Sequence, residues 1–259
     1  MLNTRRIDVG GTARAFLLAE PQGTPTAIFL SLHGTRSSAD QQARYSRMEG
    51  FARQGAAVAF PQAVAPIGPG FEWDHQADLP FLVALVDELR CTYPVPSGRV
   101  CTTGMSGGAR MSCLLATHYA EGIQMVGAVA GMRAPEGGTP SRSVPVVAFH
   151  GTSDRINPYD GGGSPRWMES VPAAAAAWAA TNGVAGGPTQ VAISPTLTKT
   201  TYGAEGQPGE VTLYTAAGAG HTWPGSKPGP LLRLLLGRTN TDIDATAEIE
   251  RFAQAHAQE

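Results

Sequence analysis

The chain alternates short, almost wholly apolar runs with longer segments in which apolar residues recur every three or four positions. The apolar runs predict strands over 26–32, 56–60, 125–130 and 144–149, and more mixed segments predict strands over 13–18, 99–103, 197–202 and 210–214. The longer segments predict helices over 38–54, 79–89, 109–116, 171–181 and 242–257. Continuously apolar strands are typical of a sheet covered on both faces, and strands that alternate with helices favour parallel pairing. We therefore expect an α/β fold with a mostly parallel central sheet and helices on both faces.

Composition narrows the class of protein. The 259 residues are 42% hydrophobic and 15% charged, which predicts a buried core and one domain over residues 1–259. A formal net charge of -2 supplies no basic field for nucleic acid or for an anionic membrane surface. No apolar run reaches the roughly 20 residues that span a bilayer. The N-terminal residues 1–6 lack the apolar core of a signal peptide, so we expect a cytosolic protein or a mature form whose leader was removed.

The three cysteines are predicted to be unremarkable thiols. An odd number leaves at least one of Cys91, Cys101 and Cys113 without an internal partner. The strand and helix positions of Cys101 and Cys113 predict buried thiols that act as small hydrophobic residues. No Cys or His cluster has the spacing of a zinc site, so no metal is expected.

The segment Gly104-Met105-Ser106-Gly107-Gly108 fits the G-x-S-x-G nucleophile elbow of serine hydrolases. A predicted strand precedes it and a predicted helix follows it, which is the context that the motif requires. A chain with 32 glycines can produce this pattern by chance, so the motif needs an acid and a histidine further along. Ser106 is therefore a candidate nucleophile for acyl transfer.

Asp154 and His221 complete the predicted triad. Asp154 lies just beyond the strand over 144–149, at the sheet edge where α/β proteins carry their sites, and Asp160 is the competing acid deeper in a Gly-rich loop. His221 lies in a Gly-rich loop after the strand over 210–214. The chain order Ser, Asp, His is that of α/β-hydrolases. The two other strand-end histidines, His33 and His150, are predicted to shape the turns that they precede.

The oxyanion of the tetrahedral intermediate needs hydrogen-bond donors. We expect the backbone N–H of Gly107, which follows the nucleophile, and that of Thr35 in the loop His33-Gly34-Thr35. Trp73 and Trp223 are candidate substrate-binding side chains, with a core or loop anchor as the alternative for each. The apolar block 230–237 predicts either a flap over the cleft or a segment packed on the body.

Four motifs together resemble the poly(3-hydroxybutyrate) depolymerase-like esterases, a group that includes the feruloyl and acetylxylan esterases of carbohydrate esterase family 1. The motifs are Leu32-His33-Gly34, the elbow with its preceding strand, His150-Gly151-Thr152-Ser153-Asp154 with Pro158-Tyr159, and Ala219-Gly220-His221-Thr222-Trp223-Pro224-Gly225. The resemblance covers about residue 7 to the last helix. It implies an α/β-hydrolase fold, a Ser106/Asp154/His221 triad, no cofactor and an extracellular or periplasmic location.

The chain departs from this family at several positions. Members often carry Asn after the nucleophile, where this chain has Gly107. Pro94 and Thr117 stand where many members have cysteines, and a shifted Cys91–Cys113 disulfide is the alternative to free thiols. The polymer-binding domains of some depolymerases have no counterpart in this sequence.

The predicted activity is hydrolysis of a carboxylic ester through an acyl-enzyme. The expected substrates are small or polymeric esters, namely polyhydroxyalkanoate oligomers or feruloyl and acetyl esters of plant polysaccharides. A serine peptidase of the same fold and a non-catalytic binding protein are the alternatives. Composition and motifs predict neither a nucleic-acid nor a membrane partner, and they leave the oligomeric state open.

Overall fold

A mixed sheet of ten strands forms the centre of the protein. The structure is a computed structural model that describes residues 2–96, 99–164 and 167–257. In chain order, the strands of the described residues are β1 (Leu2–Val9), β2 (Thr12–Ala19), β3 (Ala27–Leu32), β4 (Ala56–Pro61), β5 (Ala65–Ile67), β6 (Gly70–Glu72), β7 (Val100–Met105), β8 (Met125–Val129), β9 (Val146–Gly151), β10 (Thr189–Ser194), β11 (Leu197–Tyr202) and β12 (Val211–Ala216). Strands β5 and β6 form a separate hairpin.

The strand order of the large sheet is β1-β2-β4-β3-β7-β8-β9-β12-β11-β10. Its six central strands, from β4 to β12, pair in parallel, and the two strands at each edge pair antiparallel. The carboxyl ends of the six parallel strands therefore meet at one edge of the sheet. Loops that follow these strands are brought together there, which is where ligand sites form in this class of fold.

The helices cover both faces of the sheet. They are α1 (Ala39–Ser46), α2 (His75–Thr92), α3 (Gly107–His118), α4 (Val171–Thr181), α5 (Pro230–Leu236) and α6 (Ala245–Ala255), with 3-10 segments at Met48–Gln54 and Ala120–Gly122. One buried cluster contains side chains of α2, α3 and α4, and a second contains side chains of α1, the 48–54 segment and α6. None of the helices in the described ranges is both long and apolar enough to cross a membrane.

The central strands divide their side chains between these two clusters. In β9, Val146 and Ala148 join the first cluster, whereas Val147 and Phe149 join the second. This alternation follows from the two-residue period of a strand. Because both faces are buried, every position of β9 is apolar up to His150, as the sequence pattern predicted.

The elements differ from the predicted ones in a few places. The predicted helix over 38–54 is two pieces, because Arg47 adopts a left-handed conformation (φ 57°) between α1 and the 3-10 segment. Helix α2 begins before Leu79, since the Asp74 carboxylate accepts from the N–H groups of Gln76 and Ala77 and caps it. The edge strands β1 and β10 were not predicted. They are largely exposed, so they lack a strong apolar pattern.

Helix α5 is the largest departure from the expected packing. Its leucines are mostly solvent-exposed, with Leu231 at 69%, Leu234 at 81% and Leu235 at 66%. The leucine side chains of the block 230–237 are therefore not packed on the body, which corrects the alternative of a packed segment. The three cysteines all lie in the described ranges and are free thiols; Cys91 is exposed, whereas Cys101 and Cys113 are buried. Burial raises the pKa of the Cys113 thiol to about 11.

Candidate active site

Ser106 lies at the tight turn between β7 and α3. Its backbone has φ 55° and ψ -116°, a conformation that residues with a side chain rarely adopt. Such backbone strain costs on the order of 1–3 kcal/mol and persists only where the surroundings impose it. The Ser106 N–H is held by the Val129 carbonyl at 2.8 Å, at the end of the neighbouring strand β8. The turn lifts the serine side chain off the end of the sheet, as the elbow motif predicts.

The glycine at position 108 is required by close packing. A Cβ on Gly108 would overlap the carbonyl oxygen of Leu32, at the end of β3. The first turn of α3 therefore presses directly against the end of β3. The same contact brings the loop that follows β3 up to Ser106, and a Cβ on Gly34 would lie 3.5 Å from the Ser106 Cβ.

His221 and Asp154 form a buried hydrogen-bonded pair. Nδ1 of His221 lies 2.7 Å from Oδ2 of Asp154, and the two residues are 5% and 4% exposed. The competing acid, Asp160, is exposed and makes no such contact. Because the carboxylate can only accept, the Nδ1 atom of His221 carries the proton. Its Nε2 atom is then the one that can accept a proton from a substrate or a nucleophile.

The Asp154 carboxylate has further donors. Its Oδ1 atom accepts from the N–H groups of Ile156 and Asn157, each at 2.9 Å, and Nε2 of His150 lies 3.3 Å from Oδ2. Burial by itself would raise the pKa of Asp154, but the hydrogen bonds from His150 and His221 outweigh it. The result is a pKa below the usual range of an aspartate. Asp154 therefore stays ionised and can stabilise a positive charge on His221.

His150 lies in the candidate site, although the sequence predicted only that it shapes a turn. Its Nε2 atom donates to the Asn157 carbonyl at 2.8 Å as well as facing Asp154, and its ring stacks on Trp167 at 5.8 Å between centroids. A histidine four residues before the acid, within one strand-end loop, was the available signal. The sequence alone did not show that the loop folds back onto the ring.

Asn157 connects the acid loop to the elbow. Its side-chain amide donates to the Ala130 carbonyl at 2.7 Å, just beyond the end of β8, where Val129 holds the Ser106 N–H. Ala130 itself has a positive φ of 51°, which is uncommon for a residue with a side chain. The loops after β7, β8 and β9 are thus held together by hydrogen bonds.

The candidate nucleophile, Ser106, and the candidate base, His221, are not hydrogen-bonded to each other in the described structure. Within the described residues, no hydrogen bond connects the Ser106 hydroxyl to the His221 ring. In unliganded enzymes such contacts are often long and tighten when substrate binds. The His221 backbone is anchored, because its N–H donates to the Leu236 carbonyl at 2.6 Å. The loop around His221 is therefore tied to the end of α5.

The loop His33-Gly34-Thr35 lies against the elbow. A Cβ built on Gly107 would be 2.5 Å from Oγ1 and 3.2 Å from the backbone N of Thr35. The His33 ring holds the loop: Nδ1 donates to the Gly34 carbonyl at 2.8 Å, and Nε2 accepts from the Ala63 N–H at 3.2 Å. Burial lowers the pKa of His33 to about 4, against the opposing effect of the Gly34 hydrogen bond. His33 is therefore neutral at pH 7.

A cleft of about 750 Å³ opens beside this loop. Thr35 and Gly107 line it near the elbow, and its walls are rich in charged side chains. These are Glu72, Asp74, Arg110, Arg133, Glu136 and Glu169. Trp73 contributes to the same wall but is only 7% exposed, and its Nε1–H donates to the His33 carbonyl at 2.7 Å. It therefore supports the loop as well as bordering the cleft.

Trp223 does not line the cleft. It is 0% exposed, and its Nε1–H donates to the Thr246 hydroxyl at 3.0 Å. The expectation that Trp223 binds substrate is corrected by this burial. It anchors the segment after His221 to the start of α6, which is the alternative that the sequence left open.

Comparisons with known proteins were made for the whole chain. No family model matches it. Over 173 residues, 61% of this chain, it is 32% identical to a protein of Nocardia uniformis subsp. tsuyamanensis named "Putative esterase NocK", and the match spans about half of that protein's length.

Solved structures are similar over nearly the full length. An acetyl xylan esterase from Aspergillus awamori superposes with a TM-score of 0.66 at 18% identity, covering 96% of this chain and 98% of that one. A Bacillus cereus carboxylesterase gives 0.59 at 15% identity, covering 93% and 94%. An S-formylglutathione hydrolase from Agrobacterium tumefaciens gives 0.59 at 11% identity, covering 99% and 95%. At these identities the likeness is one of architecture, and it shows that the chain has the α/β-hydrolase fold.

Proposed function

We propose that this protein is a serine hydrolase of carboxylic esters that acts through an acyl-enzyme. The observation that carries the proposal is the His221–Asp154 pair, with Nδ1 and Oδ2 2.7 Å apart. The pair lies at the same sheet edge as the strained turn of Ser106. The sequence similarity to "Putative esterase NocK" supports the same class of reaction.

In the proposed mechanism, Nε2 of His221 takes the proton of the Ser106 hydroxyl while Oγ attacks the acyl carbon. Asp154 remains ionised, holds the Nδ1–H of His221 and stabilises the imidazolium. The tetrahedral intermediate collapses, and His221 gives its proton to the leaving alcohol. Water then enters, loses a proton to the same nitrogen and releases the acid from Ser106.

Two backbone N–H groups are assigned to the oxyanion. The N–H of Gly107 belongs to the first turn of α3, where helical N–H groups have no partner within the helix. In the described part of the chain, the Thr35 N–H makes no backbone hydrogen bond. Both residues line the cleft, so a substrate bound there would lie beside them.

The cleft favours one of the two expected substrate classes. A polyhydroxyalkanoate segment offers ester carbonyls and alkyl groups, which form few polar contacts with a wall rich in carboxylates. A sugar offers hydroxyl groups that pair with carboxylates and guanidinium groups. We therefore propose a feruloyl or acetyl ester of a polysaccharide as the substrate, with polyhydroxyalkanoate oligomers as the second choice. Export from the cell, which the family resemblance implies, belongs to this proposal.

Hydrolysis of p-nitrophenyl acetate by wild type and Ser106→Ala tests the reaction. We expect the variant to lose at least about 10³-fold in kcat, because nucleophile removal leaves only binding and oxyanion contributions. Ser153→Ala is the matched control, since Ser153 is exposed and lies next to Asp154. Equal rates for wild type and Ser106→Ala would refute the enzyme proposal.

A substrate panel tests the acyl and alcohol groups. It contains acetylated xylan, methyl ferulate, a 3-hydroxybutyrate oligomer and a peptide amide, each measured as kcat/KM. We expect the polysaccharide ester or the ferulate to be the best substrate. A preference for the oligomer would reverse the substrate assignment, and a preference for the amide would replace esterase by peptidase.

A further inference from the structure

The side chain of Thr35 faces the elbow together with its backbone. Oγ1 of Thr35 lies 2.5 Å, and its backbone N lies 3.2 Å, from the position that a Cβ on Gly107 would occupy. Both polar atoms therefore approach the residue whose N–H is the first assigned oxyanion donor. Thr35 and Gly107 also line the same cleft, so substrate can reach this point.

The Thr35 hydroxyl is not used elsewhere in the fold. Among the residues described, it makes no hydrogen bond, and the residue is only partly buried. A hydroxyl without a protein partner keeps its proton available for a ligand. The tripeptide His-Gly-Thr recurs as residues 150–152 at the end of β9. There the Thr152 hydroxyl has a partner, because it accepts from the Gly218 N–H at 2.9 Å.

This placement accounts for the glycine at position 107. A side chain there would meet Oγ1 of Thr35, so a larger residue after the nucleophile requires the hydroxyl to move from its present position. The family that this chain resembles often has Asn at the position of Gly107. Here the space that such a side chain would take is occupied by the hydroxyl of Thr35.

We propose that the Thr35 hydroxyl donates a third hydrogen bond to the oxyanion, beside the N–H groups of Thr35 and Gly107. The hydroxyl keeps its proton throughout, and its hydrogen bond strengthens as negative charge develops on the acyl oxygen. The inference rests on the proposed function, since it needs an acyl-enzyme formed on Ser106.

Three variants assayed with p-nitrophenyl acetate test this role. Thr35→Val removes the hydroxyl at nearly constant shape, and Thr35→Ser keeps it. Thr12→Val is the matched control, because it makes the same change at an exposed threonine at the start of β2, away from the elbow. We expect Thr35→Val to lower kcat by about 10- to 100-fold with little change in KM, as for loss of a hydrogen bond to a charged group. Thr35→Ser and Thr12→Val should stay within a few-fold of wild type.

A second readout separates a donor from a packing residue. A trifluoromethyl ketone forms a hemiketal on the nucleophile and carries a negative oxygen, so its inhibition constant should rise in Thr35→Val by the factor lost in kcat/KM. Full kcat in Thr35→Val, or an equal loss in Thr35→Ser, would overturn the proposal. Full activity of Ser106→Ala in the same assay would instead overturn the proposed function, so the two failures are distinguishable.

Discussion

The tripeptide His-Gly-Thr occurs at the carboxyl ends of two parallel strands, as residues 33–35 after β3 and 150–152 at the end of β9. The two histidines are both buried but have opposite tautomers. His33 donates from Nδ1 to the Gly34 carbonyl and accepts at Nε2 from Ala63. His150 donates from Nε2 to the Asn157 carbonyl and faces Asp154. Identical local sequences therefore support the loop that we assign to the oxyanion in one place and the candidate catalytic acid in the other.

The two glycines of the tripeptides also have different neighbours. Gly34 lies against the elbow, since a Cβ built on it would be 3.5 Å from the Ser106 Cβ. A Cβ built on Gly151 would instead overlap the Ala219 carbonyl oxygen. Gly34 thus borders the nucleophile, and Gly151 borders the loop that carries His221. The comparison shows that the next strand in the sheet, rather than the tripeptide, decides what each residue does.

Replacing the acid that the second tripeptide supports should have the largest effect. Asp154→Asn keeps an acceptor for the Ile156 and Asn157 N–H groups, so the protein should stay folded. The neutral amide of the variant cannot act as the charged partner that holds His221 in its Nδ1–H tautomer. We therefore expect kcat to fall by about 10⁴-fold. Steady-state kinetics and circular dichroism check this. Asp160→Asn is the control, and full activity of Asp154→Asn would transfer the acid role to Asp160.

The first tripeptide should control part of the pH dependence of stability. Burial lowers the pKa of folded His33 to about 4 from 6.5, so the unfolded chain binds more protons between these values. The contribution of neutral His33 to the free energy of unfolding is complete above pH 6.5, and it falls by about 3 kcal/mol as the pH drops to 4. The pKa of His256 is raised in the folded protein, so its contribution to stability has the opposite pH dependence and is lost as the pH rises above 6.5.

Urea unfolding at pH 4.5 and 7.5 measures this loss in wild type and His33→Gln. We expect the variant to be less stable at pH 7.5 but to lose less on acidification, because residue 33 no longer titrates. Parallel pH dependence in the two proteins would show that His33 is not the group responsible.

The two glycines should respond very differently to alanine. In Gly151→Ala the new Cβ meets the backbone at Ala219, so we expect a loss of about 2–3 kcal/mol in unfolding free energy and impaired activity through the His221 loop. In Gly34→Ala the nearest atoms are at ordinary contact distance, 3.5 Å, and the loss should be below about 1 kcal/mol. Thermal unfolding compares the pair, and equal stability of the two variants would contradict this difference.

His150 should act on catalysis mainly through Asp154. His150→Phe keeps the stacking on Trp167 but removes the donor that faces the carboxylate, and we expect kcat to fall by about 10- to 100-fold. His150→Gln retains an N–H donor and should recover part of this loss. Measuring kcat, KM and the melting temperature separates positioning from stability. A larger loss in His150→Gln than in His150→Phe would assign His150 a packing role only.

Much of the architecture follows from local pattern. The apolar runs predicted the central strands because both faces of those strands are buried, and the helix over 171–181 was predicted with the bounds that the structure has for α4. The edge strands β1 and β10 escaped prediction, since they are paired by backbone contacts to a neighbouring strand while most of their side chains face solvent. Local periodicity does not record such contacts.

The sequence by itself determined the class of fold, the elbow at Ser106 and the order in which a serine, an acid and a histidine reach one edge of the sheet. These depend on residues close together in the chain, where apolar period and glycine position are direct consequences of backbone geometry. Tertiary structure alone decided that the His150 ring faces Asp154, that Trp223 is buried while Trp73 borders the cleft, and which tautomer each His-Gly-Thr histidine adopts. Each of these depends on contacts between distant segments, which exist only once the sheet has brought its strand ends together.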